Sequence, residues 1–107
     1  MKRSGYVAIF TACPTEKEAR RIAGELIEKR LIACANIIRG VGSIFWWKGR
    51  VERAKEVLLI MKSSSKNFGR IDKKIRSLHS YEVPEIVSFS IDGASNDYLR
   101  WIKGSIK

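Results

Sequence analysis

The sequence contains few of the residues that mark several large classes of protein. Its 107 residues include two cysteines, two prolines and one histidine. Two cysteines do not make the disulfide framework that holds small secreted domains together. The longest apolar runs, such as Val57 to Met61, are five residues long, whereas roughly 20 are needed to span a bilayer. We therefore expect a cytoplasmic protein with no membrane partner.

Acidic residues are also in the minority. Lysine and arginine number 21 against 11 aspartates and glutamates, a net charge of +10, and such an excess is common in nucleic-acid-binding proteins. The basic residues are nevertheless scattered over every segment. Their densest group, within 66–76, has a helical spacing that distributes it around a solvated face. We expect no specific nucleic-acid partner, and any binding of RNA to be purely electrostatic.

Hydrophobic residues make up 45% of the chain, which is typical of globular proteins, and the length predicts one domain, residues 1–107. The periodicity of these residues alternates between strand and helix. Strands are predicted at 6–12, 31–47, 51–62 and 83–91. Helices are predicted after a Thr15–Glu18 capping box, after the serines 63–65 and after Ser95. This β-α-β-β-α-β order with an additional C-terminal helix predicts an α+β, ferredoxin-like sandwich.

The second strand is unusually long for so small a domain. Residues 33–47 would extend on the order of 50 Å, whereas a domain of this length is roughly 34 Å across. The hairpin that turns at Lys48-Gly49 must therefore bend, with Gly40 and Gly42 as bulge positions, or extend beyond its own domain. Its tip carries Phe45-Trp46-Trp47, and an exposed aromatic tip with free strand edges predicts self-association.

The loop at 79–85, His-Ser-Tyr-Glu-Val-Pro-Glu, is the most promising place for a site. It holds the only histidine, two acids and one of the two prolines, and loops carry function more often than the scaffold does. Together His79, Cys34 and Glu82 offer an imidazole, a thiolate and a carboxylate, a set suited to copper or zinc. No ligand-pair spacing supports the set, so a hydrogen-bonded, structural His79 remains the alternative.

Five motifs in order resemble the CutA family of divalent-cation tolerance proteins. They are Cys34-Ala35-Asn36, the 43–49 segment, Glu56 with Lys62, the 79–85 loop, and Tyr98-Leu99-Arg100-Trp101. The resemblance implies a homotrimer similar to the PII signalling proteins, with hairpins pairing between neighbours, and a role in tolerance of copper and other divalent metals. We expect a divalent metal such as copper as a possible ligand and no cofactor required for folding. The family usually has a proline where this chain has Ser80.

Other residues are predicted to lie at subunit contacts. Large aromatic side chains dominate such contacts, which favours Trp47, Tyr81 and Trp101. Because Glu56 and Lys62 are six residues apart on one strand, they share a face and either pair or line a cleft between subunits. The sequence has no catalytic constellation or phosphate loop, so we expect no enzyme. A PII-like sensor of a small ligand and a basic RNA-binding module remain open as alternatives.

Overall fold

The structure, a computed structural model, describes residues 4–107. In that range four strands and three α-helices follow one another in this order: β1 Tyr6–Cys13, α1 Glu16–Glu28, β2 Cys34–Trp47, β3 Arg50–Ser64, α2 Phe68–Leu78, β4 Val87–Ser90 and α3 Asn96–Ser105. The predicted α+β, ferredoxin-like order with an additional C-terminal helix is confirmed. No helix among these residues is both long enough and apolar enough to cross a membrane.

The four strands form one antiparallel sheet in the order β2-β3-β1-β4. On the two central strands the side chains of Val7, Ile9, Leu59 and Met61 are buried and belong to one core cluster with those of α1 and α2. We call the opposite side of the sheet the open face. The edge strands β2 and β4 each keep one side free of strand partners among residues 4–107.

The long hairpin bends near its middle and turns tightly at its tip. The pairing of β2 with β3 shifts between Ile38 and Val41, where Gly40 has a φ of +72°, so this predicted bulge is confirmed. The bulge predicted at Gly42 is wrong, because Gly42 pairs regularly with Lys55. At the tip, Lys48 and Gly49 both have positive φ, as a two-residue type I′ turn requires.

The two helices that cover the sheet are positioned by apolar stripes. Four side chains of α1 are buried, namely Ala19, Ile22, Ala23 and Leu26, and α2 buries Ile71 and Ile75. Ile27 was expected on the same stripe but is 42% exposed. The predicted cap of α1 forms, because the Thr15 Oγ1 accepts the Glu18 backbone N–H at 3.2 Å.

In the second half of the chain, the observed elements differ at two places from those that the hydrophobic periodicity predicts. Ser64 caps a 3₁₀ turn, Ser65–Asn67, and α2 begins only after it, with no side-chain cap at Asn67 and no acid in its first turn. The last strand, β4, is restricted to Val87–Ser90, whereas 83–91 was predicted. The 79–86 segment is not a strand because its first residues bond to β1 and α1, and Pro84 lacks the N–H that a ladder needs.

Candidate functional site

The 79–85 loop folds back over the end of β1 and the start of α1. His79 ends α2, where its backbone N–H donates to the Ile75 carbonyl at 2.8 Å. Its imidazole is fully buried, and Nε2 lies 2.8 Å from the Ala12 carbonyl oxygen. The ring is therefore held between the last residues of β1 and its own loop.

The partners of His79 define its tautomer. A carbonyl oxygen only accepts hydrogen bonds, so Nε2 carries the proton and donates to Ala12. The other nitrogen, Nδ1, accepts the Tyr81 backbone N–H at 3.1 Å. Both ring nitrogens thus have partners, and His79 has the structural role that the sequence left open.

Glu18 joins this site, which the sequence did not predict. Its Oε2 lies 3.3 Å from His79 Nδ1 and accepts hydrogen bonds from the Ser80 backbone N–H and hydroxyl, each at 3.1 Å. In the capping box, Glu18 was expected to turn back toward Thr15; only the threonine half of that motif forms. A proline at position 80 would supply neither donor, so Ser80 changes how Glu18 is held.

Cys13, at the end of β1, completes a cluster with these two residues. The Cys13 sulfur, a Glu18 carboxylate oxygen and a His79 ring nitrogen all lie within 4.8 Å of one another. Burial, followed by the negative charges of Glu18 and Glu56, raises the pKa of the Cys13 thiol to about 12. The thiol therefore keeps its proton at neutral pH.

A buried carboxylate, that of Glu56, adjoins the cluster. Glu56 is 6% exposed, and its Oε2 accepts a hydrogen bond from the Tyr81 hydroxyl at 2.7 Å. Burial, together with this bond to Glu56, raises the pKa of Tyr81 above its usual value. The Tyr81 ring also packs against His79, with ring centroids 4.8 Å apart.

The other two predicted metal ligands lie elsewhere. Cys34 is on the open face of the sheet, because its neighbour Ala35 packs against the core and side chains alternate along a strand. Its sulfur is 3.7 Å from the Tyr98 hydroxyl. Glu82 is exposed in the loop. Within the described chain His79 is grouped with Cys13 and Glu18, not with Cys34 or Glu82.

The remaining predicted residues are distributed over two regions. Lys62 donates to Asn36 Oδ1 at 2.7 Å, whereas Glu56 bonds to Tyr81, so the alternative of a Lys62–Glu56 ion pair is wrong. Trp101 is 47% exposed beside the ring of Tyr98.

Trp47 lies in a groove of about 800 Å³ between the tip of the hairpin and the 79–85 loop. The aromatic side chains 45–47 form one wall, and residues 80–83 form the other. At the tip, Trp46 is 74% exposed. The groove is therefore bounded by both of the segments that the sequence singled out.

Comparison with known proteins gives consistent matches along the chain. Residues 7–105 match the family described as CutA1 divalent ion tolerance protein. Protein CutA of Mus musculus is 40% identical over 104 residues, which cover 92% of this chain and 59% of the mouse protein. The chain thus spans about three fifths of the length of that relative.

A bacterial relative matches over nearly its whole length. The divalent-cation tolerance protein CutA of Thermus thermophilus is 39% identical over 95 residues, which cover 89% of this chain and 92% of that protein. The solved structure of the Cut A1 protein from Thermus thermophilus superimposes with a TM-score of 0.93 at 36% identity, covering 95% of this chain and 99% of the other.

Proposed function

Because the chain belongs to the CutA1 divalent ion tolerance family, we propose that it binds a divalent metal ion such as Cu(II) or Zn(II) at Cys13, Glu18 and His79. The observation that carries the proposal is the convergence of a thiol, a carboxylate and an imidazole within 4.8 Å. This mixed set suits borderline metals. The proposed role is binding in metal tolerance, without catalysis.

The hydrogen bonds of His79 support a ligand role in addition to its structural one. A metal-binding histidine commonly donates its second ring N–H to a carbonyl, which fixes the tautomer and the ring orientation. His79 has this arrangement, because Nε2–H donates to Ala12. The lone pair remains on Nδ1, on the side of the Glu18 carboxylate. Metal binding there would replace the hydrogen bond from the Tyr81 N–H.

The charges around Cys13 favour a cation. Without one, burial and then the negative charges of Glu18 and Glu56 oppose loss of the thiol proton. A divalent ion reverses the sign of the local charge and deprotonates a coordinating thiol. Binding should therefore release a proton and strengthen as pH rises toward the ordinary range of thiol ionisation.

The two cysteines provide a matched test. Calorimetry with Zn(II), which does not oxidise thiols, should find that Cys13→Ala lowers the affinity at least tenfold and that Cys34→Ala leaves it unchanged. The number of protons released, obtained in buffers of different ionisation enthalpy, should fall by about one in Cys13→Ala. Circular dichroism of both variants controls for folding.

The set of metal ligands predicted from the sequence leads to the opposite result for the two cysteine variants. Cys34, His79 and Glu82 would need ligands from two subunits, because Cys34 is on the open face and Glu82 is at the groove. In that case Cys34→Ala would lower the affinity and Cys13→Ala would not. Wild-type protein that binds neither Zn(II) nor Cu(II) would refute both sets.

We also propose that the protein assembles as a homotrimer. Strands β2 and β4 leave one free edge at each side of the sheet, so pairing β2 of one copy with β4 of the next would extend the sheet from chain to chain. Such head-to-tail contacts generate closed rings when the rotation closes. The exposed Trp46 and the open groove beside it favour the hairpin tip as part of the contact.

Light scattering at micromolar concentration should report three chains per particle. If Trp47 is packed in the contact as it would be in a core, Trp47→Ala should weaken the assembly by roughly 3–5 kcal/mol per subunit. Ile27→Ala, which removes an exposed apolar side chain on α1, is the control. A monomeric wild type would exclude the trimer.

We propose a cytoplasmic location for this assembly. Both cysteines are free thiols, and a metal site that uses a thiol is compatible with a reducing compartment. Cell fractionation with an antibody against the protein would test this assignment. Recovery outside the cytoplasmic fraction would contradict it.

A further inference from the structure

We propose that the surface formed by the end of α1, the start of α2 and the end of α3 binds the phosphate backbone of duplex nucleic acid through charge alone. This inference does not depend on the metal site or on the trimer. Six exposed cations from three separate segments define this surface, which we call the basic end: Lys29, Arg30, Lys66, Arg70, Lys103 and Lys107.

Hydrogen bonds join the three segments into one surface. The Arg30 guanidinium donates to the Ser105 carbonyl at 3.2 Å, and the Lys107 backbone N–H donates to the Arg30 carbonyl at 2.9 Å. The fully buried Asn67 donates to the Lys107 carbonyl at 3.4 Å and accepts from the Arg70 guanidinium at 2.6 Å. Residues 30, 70 and 107 are therefore neighbours in space.

The cations of the basic end have few acids near them among residues 4–107. The Glu25 carboxyl, whose pKa is lowered mainly by its hydrogen bond with Lys74, also interacts with the charge of Lys29. None of the six forms an ion pair with a carboxylate of residues 4–107, whereas four other cations on α1 and α2 do, namely Arg20, Arg21, Lys74 and Arg76. The only acidic side chain within 28–31, 66–70 and 103–107 is that of Glu28. The charge at this end is therefore left to attract anions from solution.

The start of α2 adds to the same potential. The helix begins beside Lys66 without a side-chain cap and without an acid in its first turn, so its positive dipole end is not compensated. By contrast, α1 has both the Thr15 cap and two first-turn glutamates. The six cations carry the inference, and the helix end strengthens it.

The side chains at this end favour a nucleic-acid backbone over a membrane. Peripheral membrane binding combines cations with apolar side chains that enter the bilayer, but Leu31 is buried and Phe68 and Ile106 are partly buried. Binding of single strands uses exposed aromatic platforms. The segments 28–31, 66–70 and 103–107 contain no exposed aromatic side chain, and the exposed Trp101 packs against Tyr98. Contacts to the phosphates of a duplex require neither.

The test compares two variants that lose the same charge. Fluorescence anisotropy with a short DNA duplex of mixed sequence, and with an RNA duplex, should detect binding by the wild type at about 50 mM salt that weakens steeply toward about 200 mM. The variant Lys29→Gln/Lys66→Gln should bind at least tenfold more weakly at the lower salt. Its slope of log affinity against log salt should be smaller by about two.

The control is Lys17→Gln/Lys55→Gln, which removes two exposed lysines outside the basic end and should lose far less affinity. Equal loss in the two variants would show that net charge and not this surface binds the duplex, which overturns the proposal. Absence of wild-type binding at about 50 mM salt, or binding to vesicles of anionic lipid without binding to either duplex, overturns it as well. Circular dichroism should show that both variants fold.

Discussion

The layer formed by α1 and α2 has two ends of opposite charge and opposite burial. At one end Cys13, Glu18, Glu56 and His79 are buried or nearly so, and each acidic or imidazole group has a hydrogen-bond partner. At the basic end, the six cations are exposed and form no ion pairs among residues 4–107. We call the first the acidic end.

This difference shows that the net charge of +10 does not describe the local charge at either end. Buried hydrogen bonds to charged groups stabilise a fold by about 1.5–3 kcal/mol, because breaking one leaves a group that water cannot reach. Exposed charges contribute about 0–1 kcal/mol and are screened by salt. Mutations at the acidic end should therefore change stability, whereas mutations at the basic end should change mainly what the protein attracts.

The largest effect is expected from His79→Ala. The substitution removes a buried ring and leaves the Ala12 carbonyl and the Tyr81 N–H without their partner. We expect the free energy of unfolding to fall by about 3 kcal/mol, as measured by urea denaturation. Lys66→Ala at the basic end is the control and should stay within about 0.5 kcal/mol. A loss for His79→Ala no larger than the control would show that the acidic end is not the more constrained one.

A smaller loss is expected when only a hydroxyl is removed. Tyr81→Phe leaves the buried Glu56 carboxylate without its side-chain donor, which should cost about 2 kcal/mol. Tyr98→Phe is the control. It removes a hydroxyl from a tyrosine that is 38% exposed and whose neighbour is a thiol sulfur 3.7 Å away. If urea denaturation gives the two variants the same free energy of unfolding, burial does not determine how much the hydrogen bond to Glu56 stabilises the protein.

The pH dependence of stability should report on Cys13. Its thiol has a pKa of about 12 in the folded protein and an ordinary value of 9.0. Above pH 9 the unfolded chain therefore loses this proton first, and stability falls as pH rises toward 12, by up to ~1.4 kcal/mol per pH unit. Below pH 9 the thiol contributes no slope.

Tyrosine begins to ionise between about pH 9 and 10 as well, so in this window the effect of Cys13 is obtained as the difference between the wild type and Cys13→Ala. Cys13→Ala should flatten the stability curve in this window, and Cys34→Ala should leave it unchanged. An equally steep fall in Cys13→Ala would mean that another group causes it. Within this window and above it, the raised pKa of Tyr81 adds a loss of the same sign to the wild type and to both cysteine variants.

Much of the fold could be predicted because its elements follow local rules. The stripes of α1 and α2 and the turn at Lys48-Gly49 are visible in short windows of sequence. Such local rules do not distinguish the two glycines of β2, Gly40 and Gly42. Only the pairing partner decides that Gly40 lies in a bulge and that Gly42 does not.

The candidate site could be predicted only in part, because it forms between segments. His79 was prominent as the single histidine, but Cys13 and Glu18 were concealed by local explanations, an apolar strand end and a capping box. The position of Cys13 directly before the turn into α1 was the one available signal. The basic end was partly hidden. Lys66 and Arg70 belong to the densest basic group of the sequence, but the other four cations come from two segments that appear ordinary.

The smallest predicted effect has the opposite sign. Lys66 lies beside the uncompensated start of α2, where a cation is unfavourable. Lys66→Gln should therefore raise the free energy of unfolding by about 0.3 kcal/mol at low salt, and the gain should disappear near 1 M salt, where the screening length is about 3 Å. Arg76→Gln, which breaks the 3.1 Å pair with Asp72 in the last turns of the same helix, should lower it by about 0.3 kcal/mol. Thermal unfolding of both variants at two salt concentrations makes this comparison. If both variants are less stable than the wild type, the cations of the basic end are paired in solution.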